Sequence, residues 1–67
     1  MLQVTINGEG RVFDGALDVA GLIARLGLDP RKVAVERNLA IVPRSAYPVT
    51  ALADGDRIEI VAFIGGG

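Results

Sequence analysis

The sequence predicts an α+β fold, a mixed sheet of about four to five strands with one main helix packed on one face. Apolar residues alternate with period two at both ends of the chain, and an Asn-Gly pair punctuates the first alternating run. One apolar stripe at helical spacing follows it. With 67 residues there is room for one domain, assigned to residues 1–64, with 65–67 as a glycine tail. A hydrophobic fraction of 51% is enough to form a core and argues against disorder.

In the first run Leu2, Val4 and Ile6 point one way and Gln3 and Thr5 the other, the pattern of a half-buried strand. Asn7-Gly8 then supplies the two positive-φ residues of a tight hairpin, returning as a strand over about 10–13. Val19, Leu22, Ile23 and Leu26 fall at i, i+3, i+4 and i+7, one face of a helix over 19–26. Asp18 suits its N-cap, Gly27 its left-handed C′ position, and Asp29-Pro30 forbids continuation. A third strand is expected over 32–36, with Val33 and Val35 on one face. The segment 37–39 turns it into a short strand over 40–42, which Pro43 confines to an edge. Residues 45–53 read as irregular, with Tyr47, Pro48 and Val49 available to the core. After the Asp54-Gly55-Asp56 turn, residues 57–64 alternate again. Ile58, Ile60, Ala62 and Ile64 lie on one face, Arg57, Glu59, Val61 and Phe63 on the other. The order β-β-α-β-β-β is that of the β-grasp, or ubiquitin-like, fold. Pairing of the first strand with the last follows from that likeness rather than from periodicity.

Absences exclude much chemistry. Without cysteine there is no disulfide, thiolate nucleophile or sulfur-ligated metal. Without histidine the commonest general base and zinc ligand are missing. Seven basic residues against eight acidic ones give a net charge of −1. The basic side chains are scattered, so neither DNA nor RNA is an expected partner. No apolar run approaches the ~20 residues that cross a bilayer, and the first residues lack the pattern of a signal peptide. A cytoplasmic location and no membrane partner are therefore expected. Gly8-Glu9-Gly10 lacks the third glycine and following helix of a phosphate loop, and reads as a hairpin turn. Asp54 and Asp56 lack the further ligands of a calcium loop. Ser45 has no base to activate it. No catalytic constellation, bound cofactor or metal is expected.

There remains Ile64-Gly65-Gly66-Gly67. Three residues without Cβ, fully extended, project a carboxylate roughly 10 Å past the sheet. Such a thread enters a channel too narrow for side chains. There a partner's chemistry can activate the carboxylate with ATP as an acyl adenylate, which a sulfur nucleophile then displaces. On residues alone, a frayed end or a cloning scar accounts for the glycines equally well.

Four stretches carry a resemblance: 34–38 (AVERN), 41–44 (IVPR), 52–60 (LADGDRIEI) and the terminal glycines. Over essentially its full length the chain resembles the ThiS sulfur-carrier family of thiamine biosynthesis, within the ubiquitin-like ThiS/MoaD group. The resemblance implies that the chain is a protein co-substrate and not an enzyme. A ThiF-type adenylyltransferase adenylates Gly67 with ATP, and a sulfur donor such as a cysteine desulfurase supplies the sulfur of a thiocarboxylate. A ThiG-type thiazole synthase takes that sulfur up. Gly67 is then the reactive terminus, and Gly65 and Gly66 the thread. Val61, Phe63 and Ile64 form an apolar partner-binding patch beside it. Two departures stand out: three terminal glycines where two are usual, and Leu39 where glycine often follows the asparagine. MoaD-type carriers of molybdopterin synthesis typically carry proline before the glycines, and Ala62-Phe63-Ile64 has none. A ubiquitin-like interaction module, or a toxin–antitoxin module, is the alternative of a different class.

Overall fold

In a computed structural model, which describes residues 1–63, the alternating runs form five strands. They are β1 (Leu2–Ile6), β2 (Glu9–Phe13), β3 (Val33–Arg37), β4 (Ala40–Val42) and β5 (Arg57–Ala62), with helix α1 (Val19–Arg25) between β2 and β3. The strand order is β2-β1-β5-β3-β4. All neighbours are antiparallel except β1 and β5, which run parallel with Thr5 opposite Arg57 and Ile6 opposite Ile58. The pairing of first and last strands is as expected, and it places β5 in the sheet interior.

Local chemistry explains each junction. Asn7 and Gly8 take φ of 49° and 84°, so a two-residue type I′ turn fixes the β1–β2 register. The Asp18 carboxylate accepts from the Gly21 N–H at 2.7 Å, capping α1. At the other end Gly27 has φ of 73°. The Leu28 N–H reaches the Ile23 carbonyl at 3.1 Å and the Gly27 N–H the Ala24 carbonyl at 3.0 Å, a Schellman stop. Leu26 is therefore the cap of α1 and not its last turn.

One core lies between α1 and the sheet. Leu2, Val4 and Ile6 of β1, Val33 and Val35 of β3, and Ile58 and Ile60 of β5 meet Val19, Leu22 and Ile23 of α1 there. Tyr47 is buried among them with its hydroxyl donating to the Val33 carbonyl at 3.2 Å. Burial of that polar tip is tolerated because it is bonded.

The structure departs from four expectations. β3 begins at Val33 and not Lys32, because Asp29 accepts from the Arg31 N–H and starts a 3-10 turn over Pro30–Lys32. The stretch read as irregular holds a 3-10 helix, Arg44–Val49. That helix turns Tyr47 inward and leaves Pro48 and Val49 exposed. Ala62 shares the face of Ile58 and Ile60 but is exposed, since a groove among Leu26, Leu28 and Ile60 leaves it uncovered.

Candidate functional site

The site is the outgoing end of β5 with the sheet face turned away from α1. β5 is held on both sides. Its pairs with β3 run from Val33–Ala62 to Arg37–Ile58, and the Phe63 N–H extends that ladder by donating to the Lys32 carbonyl at 2.8 Å. On the β1 side the Asn7 side-chain amide behaves as an additional strand residue. Its Nδ2 donates to the Ile60 carbonyl at 3.0 Å and its Oδ1 accepts from the Ile60 N–H at 2.8 Å. The chain thus leaves the domain from a strand whose last described residue is still bonded to the sheet. The strand's position does not depend on a mobile loop.

Of the predicted partner-binding residues, Val61 and Phe63 are 62% and 59% exposed. Both lie opposite the buried Ile60, as the alternation requires. Ile41 of β4 and Leu39 in the β3–β4 turn are exposed as well. Ile64, Gly65, Gly66 and Gly67 lie outside the described residues. Among the described residues, no group of three or more acidic side chains is placed to hold a metal ion, and no helix is long and apolar enough to cross a membrane.

A second cluster lies at the opposite end of β5, and sequence reasoning took it for a simple turn. Asp56 is 6% exposed. Its carboxylate accepts from Arg37 Nε at 2.8 Å, Asn38 Nδ2 at 3.0 Å and the Ala53 N–H at 2.9 Å. Burial acts most strongly on this group and would push its carboxyl up. The Arg37, Ala53 and Asn38 hydrogen bonds, with the Arg37 charge, outweigh burial and hold it below the usual carboxylate range. Asn38 also pairs with Arg57, its N–H donating to the Arg57 carbonyl at 2.8 Å and its Oδ1 accepting from the Arg57 N–H at 2.9 Å. These contacts tie the β3–β4 turn to the start of β5. The stretches 34–38 and 52–60, which looked like separate motifs, are therefore two halves of one scaffold. The available signal was an Arg-Asn pair and an Asp-Gly-Asp turn with no evident solvent role.

A mixed sheet with parallel first and last strands, a hairpin before the helix and the helix on one face defines the β-grasp class of ubiquitin-like proteins. The solved neighbour bears this out: the crystal structure of the thiamine biosynthesis protein ThiS from Geobacter metallireducens superposes with a TM-score of 0.84. It is 35% identical and covers 98% of this chain and 100% of that one. The ThiS family model matches residues 4–67, and the chain belongs to the ThiS family. It is 58% identical over 66 residues to a thiazole synthase of Paramagnetospirillum magneticum, covering 98% of this chain but only 20% of that protein. It is also 43% identical over 49 residues to the sulfur carrier protein ThiS of Bacillus subtilis, covering 73% of this chain and 74% of the relative. The chain thus spans about a fifth of the thiazole synthase it matches, in contrast to its near-complete match with the solved ThiS.

Proposed function

We propose that this chain is a sulfur carrier of thiamine (thiazole) biosynthesis, with Gly67 as the acyl site. One observation supports the reading above others: within the ThiS family, this chain carries three glycines that follow the innermost strand of its sheet in sequence, with only Phe63 and Ile64 between. The proposal requires Gly67 to carry a free carboxylate. An oxygen of that carboxylate attacks the α-phosphorus of ATP on a ThiF-type adenylyltransferase, and pyrophosphate leaves. The outer sulfur of a persulfide on a donor such as a cysteine desulfurase attacks the acyl carbon, and AMP leaves. A thiol then cleaves the resulting acyl disulfide, releasing the thiocarboxylate and leaving a disulfide with the donor. The resulting thiocarboxylate passes its sulfur to a ThiG-type thiazole synthase. Gly65 and Gly66 serve as the thread, since a Cβ at either would widen the chain inside a narrow channel. The chain contributes the acyl group and a recognition surface, and the partners contribute the catalysis. The exposed Val61 and Phe63, with Ile64 next in sequence, supply the apolar contacts to the partner.

Removing Gly66 and Gly67 tests the reading against an interaction module. The truncated chain is expected to keep its thermal transition, since the buried core is built from residues between Leu2 and Ile60, and to lose adenylation entirely. A truncated chain that still supports thiazole formation would overturn the proposal.

A further inference from the structure

On the sheet face turned away from α1, Glu36 of β3 stands directly opposite Glu59 of β5. Like charges at opposed positions of an antiparallel pair destabilise a sheet. The ion pairs among the described residues join Arg11 to Glu9, Arg31 to Asp29 and Arg37 to Asp56, and leave both of these carboxylates without a cation. Arg57, two residues before Glu59 on β5, pairs with neither. Apolar side chains surround the acidic pair. Ile41 lies opposite Glu36 on β4, Val61 is the next outward residue after Glu59 on β5, and Phe63 is the one after that.

A second cost lies at the β3–β4 turn, on the side of this face where β5 begins. Leu39 is 78% exposed and sits at φ of 72°, a left-handed conformation that a leucine adopts only with strain. It lines one shallow depression together with Thr5 and Arg57 of this face. In the isolated chain both features oppose stability. A partner that covers the face converts both into contacts, a cation between the carboxylates and apolar surface against Leu39.

We propose that Glu36 and Glu59 are the charged centre of the docking face and seat an arginine of the adenylating partner, with Ile41, Val61 and Phe63 packed around its aliphatic stem. The inference rests on the carrier reading and adds the chemistry of recognition to it. An arginine suits two carboxylates at directly opposed positions because its planar fork can donate to both. The adenylating partner is the occupant because its substrate is the unmodified tail. Glycines offer that enzyme no side chain to distinguish, so the folded face must supply the identity. At the later step the thiocarboxylate itself marks the tail.

The test replaces both carboxylates by E36Q/E59Q, which keeps their size, and follows adenylation by a purified cognate ThiF-type adenylyltransferase. The double variant is expected to melt no lower than the wild type. Its KM for the carrier rises about tenfold at low salt, kcat is unchanged, and the salt dependence of KM is reduced. A KM and salt dependence equal to those of the wild type would overturn the inference and leave the carrier reading intact. A wild-type chain that the enzyme does not adenylate would end both. The wild type alone gives a further check, because a KM insensitive to salt contradicts a charged centre.

Discussion

Asp56 shows how a single side chain joins parts of the chain that look independent in sequence. Its buried carboxylate is satisfied by Arg37, Asn38 and the Ala53 N–H, so its replacement leaves several donors unpaired. Asp56→Asn is expected to destabilise the domain at neutral pH by about 2 kcal/mol. The loss is smaller than for a fully buried ion pair because solvent screens Arg37, whose side chain remains 34% exposed. The sign of the pH dependence follows from the depressed folded pKa. The contribution is fully present above the unfolded carboxyl value, about 3.9, and is lost as pH falls through the lower folded value. Denaturation curves from roughly pH 5 to pH 2 should therefore show a steeper loss for the wild type than for Asp56→Asn. Parallel curves would contradict that role. At the other end of β5, Phe63 contributes exposed surface and a backbone N–H bond that any residue can make. Phe63→Asp should leave the melting temperature nearly unchanged while weakening adenylation about tenfold. Unchanged adenylation kinetics would remove Phe63 from the docking surface.

At the scale of elements, α1 is only seven residues long, too short to persist on its own, and depends on its ends and its packing. Asp18 caps it, and the adjoining backbone is tied to the segment before β5 by Val19 N–H to Thr50 carbonyl and Leu52 N–H to Leu17 carbonyl. Asp18→Ala is expected to cost about 1 kcal/mol, read as a fall in melting temperature of about 4–8 °C. A fall below about 1 °C would show that tertiary contacts hold α1 without the cap. The legible elements were those with local causes. Asn7-Gly8 dictates its own turn, and the α1 stripe and stop signals are complete within one stretch of chain. The 3-10 helix Arg44–Val49 was not legible. Its inward turn is set by long-range contacts, Tyr47 against the core and the Val33 carbonyl and Arg44 on the Arg31 carbonyl, which no periodicity announces. The β3–β4 turn was only half legible. Asn38 signals positive φ, whereas Leu39 adopts it against its own preference, with Asn38 anchored to Arg57 and Asp56.

At the scale of the whole molecule, the sheet order separates two ends with different tasks. The Asp56 network locks the start of β5, and the ladder to β3 carries its other end out to Phe63 beside an exposed apolar face. Val61 and Phe63 were legible as outward residues because alternation alone places them. The Glu36–Glu59 opposition was not, since it depends on the register between two strands far apart in sequence. The sheet register supplies what periodicity lacks, the parallel seam of β1 and β5 that puts the outgoing strand in the sheet's interior. The most direct measurement is the intact mass of the chain after incubation with the adenylyltransferase, ATP and a sulfur donor. The carrier reading predicts the gain that one sulfur makes in place of one oxygen, localised by fragmentation to Gly67. An unchanged mass with both partner enzymes active, or a modification mapped to any other residue, would contradict it.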